Sequence, residues 1–205
     1  MQNADRKSHT SELQSHHCIS YAVYTNNGAT ISYGEVKSLG KATEVSIEIT
    51  SSSDNNLYAD NAIAETEHTF QDGTLTLNTD DLSQTASKDI LGIIESALSA
   101  ITGVTDEGVK ELIYDNRQST VYVGIGLVVK KIVGGVTSWR AIVLPKCAFS
   151  IPADSAVTQG QTIEWQVPEL TATIMRDDSE YQRWKSEATF TTEAQAVAYI
   201  SARLS

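Results

Sequence analysis

Apolar and polar residues alternate with a period of two along much of this chain, beginning at Ile19. The run ISYAVY (19–24) is β-branched and aromatic, and ATISY (29–33) returns after Asn27-Gly28, a pair favoured in tight hairpin turns. In ATEVSIEIT (42–50), Val45, Ile47 and Ile49 face one way, and Glu44, Ser46 and Glu48 the other. Such alternation predicts a strand with one buried and one wet face. GTLTLNT (73–79) repeats it with Leu75 and Leu77. TVYVGIGLVVKK (120–131) and VTSWRAIVLPKCAF (136–149) flank Gly134-Gly135, which predicts another hairpin, and Pro145 predicts an edge or a bulge. In residues 161–177, Ile163, Trp165 and Val167 share a face; beyond Pro168, Leu170, Ala172 and Ile174 do the same. EATF (187–190) closes the set.

The helical period occurs twice. Asp81-Leu82-Ser83-Gln84 reads as a helix start with Asp as cap. Ile90, Ile94, Ala97, Leu98 and Ile101 then predict a helix over 88–101, ended near Gly103. Thr192-Glu193-Ala194-Gln195 predicts a capping box before a C-terminal helix that turns Val197, Ile200 and Leu204 inward. Two stretches lack a period. Residues 1–17 are polar and predict a flexible arm. Residues 51–72 read as a long loop carrying Leu57, Tyr58, Ile63 and Phe70, whose apolar groups need a surface that a partner would provide. The pattern predicts a mainly β fold, an antiparallel β-sandwich or barrel, with one packed middle helix and a C-terminal helix. It divides into an arm, 1–17, and a single β domain, 18–205.

Composition narrows the function. At 205 residues the chain is long enough for a core without staples. Fifteen Lys and Arg against 26 Asp and Glu give a net charge of −11, which argues against a free-standing nucleic-acid binder. No run approaches 18 apolar residues, so no membrane partner is expected. The N-terminus lacks the apolar stretch of a secretory signal, and Cys18 and Cys147 are too few for a disulfide framework.

Catalytic and metal signatures are weak. Three of four histidines lie in the arm, and no GxSxG occurs. Asp54, Asn56 and Asp60 lack the twelve-residue calcium-loop signature. Gly124-Ile125-Gly126 lies inside a strand with no helix following, so its glycines read as points of close backbone approach or of a bulge. No enzyme activity, cofactor or metal is expected. Charge is uneven: from Ala42 to Ser87 there are nine acids and no Lys or Arg, while Lys130, Lys131, Arg140, Lys146, Arg176, Arg183 and Lys185 gather later. An acidic and a more basic side suit head-to-tail self-assembly, or a wall along which a polyanion slides without sticking.

LYADNAIAETEHTFQDGTLTLNTDDLSQTASKDILG (57–92) resembles the major tail protein of long-tailed phages of Gram-positive bacteria. The likeness lies in Tyr58-Ala59-Asp60-Asn61, Gly73 to Leu77, Asp80-Asp81-Leu82 and Ile90-Leu91-Gly92. VGIGLVVKK (123–131), WRAIVLPKCAF (139–149), QTIEWQVPEL (161–170) and WKSEATF (184–190) follow in a similar order. The resemblance implies a tail-tube-like fold and a structural virion protein without catalytic residues. It implies homo-hexameric rings stacked into the tail tube, with β-strands joined around a lumen through which DNA passes without specific binding on ejection. Tape measure, tail tip and terminator proteins are the further partners implied. The place implied is the virion, after assembly in the host cytoplasm. On this reading Leu57, Tyr58, Asp60, Ile63 and Phe70 are candidates for an inter-subunit loop, and Glu44 and Glu48 for the lumen or a solvent face. The alternatives are another tail-assembly protein, of completion, terminator or contractile inner-tube type, or a β-sandwich carbohydrate-binding module with Trp139, Trp165 and Trp184 as its aromatic platform.

Overall fold

The computed structural model describes residues 18–28, 30–52, 55–59, 62–67, 69–80, 82–97, 109–153 and 168–205, with the side chains of 18, 55–59, 62–67 and 97 left aside. The arm 1–17, Asp54, Asp60, positions 98–101 of the expected helix, and the 161–167 strand with Trp165 lie outside the described residues. Among the described residues twelve strands and two helices run in the order β1 (Cys18–Asn26), β2 (Ile31–Tyr33), β3 (Lys37–Ser51), β4 (Asn55–Ala59), β5 (Ala62–Glu67), β6 (Phe70–Thr79), α1 (Gln84–Leu91), β7 (Ile94–Ala97), β8 (Lys110–Ile113), β9 (Tyr122–Val133), β10 (Val136–Phe149), β11 (Glu169–Met175), β12 (Ser186–Phe190) and α2 (Glu193–Arg203).

The main sheet closes on itself. Its order is β11-β6-β3-β1-β9-β10, and β10 pairs back onto β11. Every pairing is antiparallel. The fold is therefore mainly antiparallel β, and of the expected sandwich and barrel it is the barrel. Closure removes edges that would otherwise template aggregation. Long strands that change partners make it possible. β10 pairs β12 through Trp139–Val143 and β11 through Lys146–Phe149. Its register against β9 shifts between Leu144 and Cys147, so Pro145 sits in the expected bulge. The hairpin at Gly134 and Gly135 has φ of 58° and 79°, the left-handed pair that a two-residue type I′ turn requires.

Alternation sorts the side chains into two apolar clusters. Ile19, Tyr21, Leu75, Leu77, Ile125, Leu144, Cys147, Leu170 and Ile174 fill the barrel, joined by Ala86, Ile90 and Leu91 of α1. Ala22, Val128, Ala141 and Val143 point outward and meet Ala196 and Ile200 of α2 and its C-cap Leu204. The close approach expected at Gly126 is real. A Cβ there would lie 2.1 Å from Ile200 Cγ2, and one at Gly124 would lie 2.5 Å from Leu204 Cδ2. The two glycines make the shallow seat that lets α2 lie on β9.

Four expectations need correction. The middle helix spans Gln84–Leu91, not 88–101. Its cap is Ser83, whose side chain accepts from Ala86 N, and Gly92 ends it at φ 65°. Ile94, expected on that helix, lies in β7, paired with Ile113 of β8. Residues 51–72 are not a structureless loop. β3 and β6 run on until Ser51 pairs with Phe70, and β4 and β5 form a hairpin beyond them. Val197 is 40% exposed, and Ala196 takes its place beneath α2. Ile49 is 41% exposed near the outer end of β3, while Val45 and Ile47 pack against the core.

Candidate functional site

The most distinctive surface is the outer face of β3, β6 and β11, the barrel wall away from α2. Its residues follow from the register. Glu44 pairs with Asn78, Ser46 with Thr76, Glu48 with Thr74 and Thr50 with Asp72. On the other side of β6, Glu169 pairs with Asn78, Thr171 with Thr76 and Thr173 with Thr74. Partners across an antiparallel ladder share a face, so these side chains form cross-strand rows. Their neighbours Leu75, Leu77, Leu170, Ala172 and Ile174 are fully buried, which sets the outward direction of the alternate set. Four acids (Glu44, Glu48, Asp72 and Glu169) stand among hydroxyls, and these rows contain no Lys or Arg. Asn78 donates to Glu44 Oε2 at 3.4 Å. Short hydroxyl and carboxylate groups hold a hydration layer and repel an anion without gripping it.

Cations on β10 and beside β12, beyond the rows of the wall, are engaged locally. Lys146 pairs with Asp178 at 2.8 Å and lies over the rings of Tyr24 and Tyr122, 5.2 and 4.8 Å from their centroids. Glu187 is bridged by Arg140 and Lys185. Asp178 is pulled down to about 2, first by Lys146 and then by hydrogen bonds from Tyr24 and Asn26. Glu187 is lowered to about 2, first by Lys185 and then by Arg140. Tyr24 is pushed up to about 12, chiefly by burial. Buried Asp177 accepts from Ser179 N, Ser179 Oγ and Arg183 N, tying down the 177–183 turn.

Glu44 and Glu48 are both exposed on the polar wall. Leu57, Tyr58 and Ile63 lie on β4 and β5, with Leu57 paired to Glu65 and Tyr58 to Ile63 in the backbone ladder. Asp60 lies outside the described residues. Phe70 has found a partner in its own chain. It stacks on Trp184 with centroids 4.5 Å apart and planes 3° from parallel, and Arg176 donates to its carbonyl at 2.5 Å. It thus belongs to the base of the hairpin rather than to an unpartnered loop. Sequence reasoning counted Asp72 only among the acids of 42–87 and did not single out Thr74, Thr76, Glu169, Thr171 or Thr173. Their signal was present as threonines alternating with aliphatic residues in both 73–77 and 169–174.

Other chemistry is scarce. Among the described residues no group of three or more His, Cys, Asp or Glu is placed to hold a metal ion. Cys147 is fully buried, and burial pushes its thiol up, away from the reactive thiolate. Trp139 packs against the α2 cluster with Lys130 over its ring, and Trp184 lies on Phe70, so neither forms an open platform. Among the described residues no helix is long and apolar enough to cross a membrane. No protein-family model matches the chain, and no curated protein does.

Proposed function

We propose that this chain is a structural subunit of a phage tail tube, assembling with copies of itself into stacked hexameric rings whose lumen conducts DNA. The observation that carries the reading is the three-stranded wall of acids and hydroxyls with no cation in its rows. Phosphates meeting such a wall find like charge and no site to settle on, so DNA slides. The β4–β5 hairpin supports it too. It continues from β3 and β6, the strands that build the wall, and so extends one edge of that surface toward a neighbour. The ordered resemblance from residue 18 to the C-terminus agrees with both. Tape measure, tail tip and terminator proteins are the partners this role brings, and the virion is its place.

Assembly is the test. Negative-stain electron microscopy over a concentration series, with light scattering on the same samples, is expected to show rings or hollow tubes of uniform width. A chain that stays monomeric at high concentration and also fails to polymerise on an added tail-tip complex would overturn the proposal. Rings that never stack would move the assignment to a completion or terminator protein.

A further inference from the structure

The turn between β11 and β12, residues 177–183, borders two adjoining hollows. The first, of about 290 Å³, is lined by Tyr33, Asp177, Ser179, Arg183, Ser186 and Arg203, brought together from β2, the turn, the start of β12 and the end of α2. The second, of about 270 Å³, shares Ile31 and Ser179 with the first and continues past Asn26, Thr30 and Glu180. The turn is held firmly. Asp177 N donates to the Arg183 carbonyl at 2.8 Å, and Gln182 N to the Ser179 carbonyl at 3.0 Å. Gln182 takes φ 46°, a left-handed conformation uncommon for a residue with a side chain. Asp177 is only 8% exposed. Its Oδ1 takes three donors within the turn, and among the described residues nothing donates to its Oδ2. A buried carboxylate calls for donors on both oxygens, and the hollow is where one can reach it. Arg183 and Arg203 are exposed, and among the described residues neither is in an ion pair. Each guanidinium lies over a tyrosine ring instead, 5.9 Å from the centroid of Tyr181 and 5.4 Å from that of Tyr199. Contact with a ring leaves the N–H edge of a guanidinium open.

We propose that this groove binds an acidic sugar, a hydroxylated ring carrying a carboxylate or a phosphate. The polarity of the groove selects it. At one end Arg183 and Arg203 supply charge and N–H forks for an oxyanion. Along the rest, Asp177, Asn26 and Glu180 supply acceptors that suit hydroxyl donors. In the first hollow two guanidiniums stand against one carboxylate, so it attracts an anion in a chain whose net charge is −11. The carbonyl end of α2 works against an anion there, and Arg203 in its last turn offsets it. Tyr33 donates to the Pro145 carbonyl at 3.1 Å, which fixes its ring as a rigid wall for a sugar to lie against. Neither half of the ligand suffices alone. A bare phosphate would meet the Asp177 carboxylate as like charge, and a neutral sugar would leave both guanidiniums without a counter-charge. The volume is that of a small-molecule site, which runs from roughly 300 Å³ upward. The inference rests on this groove alone and is independent of the tube reading.

Titration of the full chain followed amide by amide in NMR spectra tests it, at a concentration where light scattering shows a monomer. The probes are glucuronate, glucose 6-phosphate, glucose and inorganic phosphate. At least one of the two acidic sugars is expected to bind with a Kd of about 1 mM or tighter, moving the amides of Ser179, Arg183 and Ser186 while Leu75 and Leu77 stay still. Glucose and inorganic phosphate should each bind roughly tenfold weaker or less, since each makes only part of the contacts. Arg183→Gln and Arg203→Gln, made separately at exposed side chains, should each weaken the acidic sugar about tenfold. Inorganic phosphate that binds as tightly as the sugar acids overturns the proposal, because the arginines then form an anion patch only. So does glucose that binds as tightly as the acids, parental affinity in both variants, or an absence of shifts at the groove with either acidic sugar.

Discussion

Lys146 is the clearest case of one side chain tying distant elements together. Its ammonium lies over Tyr24 of β1 and Tyr122 of β9 while bonding Asp178 in the turn after β11. Tyr24 donates to the same carboxylate at 2.7 Å and accepts from Asp178 N at 3.1 Å. Because Asp178 is held at about 2 when folded and lies near 3.9 when unfolded, it stabilises the fold above about pH 4. That contribution disappears as pH falls toward 2, where the folded carboxylate also takes its proton. Glu187 acts with the same sign over the same window. Thermal melts should therefore show Tm falling between about pH 4 and pH 2. Asp178→Asn should lower Tm at neutral pH and make that acid fall shallower, leaving the part due to Glu187. An unchanged acid limb in the variant would mean that Lys146 and Tyr24 do not discriminate between the charged and neutral forms.

Among elements, the β4–β5 hairpin separates folding from assembly most cleanly. Its base is closed below it: Ser52 N donates to the Thr69 carbonyl at 2.8 Å, and their hydroxyls lie 2.9 Å apart. Replacing residues 53–68 by a short Gly-containing turn should leave the barrel intact, with Tm within a few degrees, since surface loop changes cost little. The shortened chain should no longer polymerise. Normal tubes from it, seen by electron microscopy, would show that the hairpin makes no essential subunit contact. The strand at 73–79 was legible from strict alternation, because burial on one face leaves a period of two, and 136–149 was legible as an apolar run beside Gly134-Gly135, because β10 is covered on both faces, by the barrel core and by α2. The hairpin was not legible: its turn formers and sparse apolar residues mimic a loop, and only the pairing of Ser51 with Phe70 shows the ladder continuing. The middle helix misled for another reason. Ile90, Ile94 and Ala97 satisfy a helical period, yet Gly92 stops the helix in a left-handed conformation. A Cβ at 92 would lie 2.0 Å from the Ser119 carbonyl, a constraint set by a distant segment.

For the whole molecule, the separation of charge decides more than its sum. The net charge of −11 alone fits any acidic protein. What distinguishes this one is that Glu44, Glu48 and Glu169 share a wall with hydroxyls and no cation, while Arg140, Lys146 and Lys185 sit elsewhere in ion pairs. If that wall lines the bore of a tube, its acids set how DNA passes. Glu44, Glu48 and Glu169 are exposed and none is in an ion pair with Lys or Arg among the described residues, so the triple change to Lys should leave the fold standing. Three charges per subunit would be reversed along the bore, a change of six units. Tubes of the parent chain should retain no DNA at low salt. Variant tubes assembled with short duplexes should retain DNA that resists nuclease, and release it as salt rises, in proportion to the phosphates neutralised. Nuclease separates the two surfaces, because DNA bound outside is digested and DNA in the bore is not. Variant tubes whose bound DNA is fully digested would place these acids on the outer surface, and would require another face of the barrel to line the lumen.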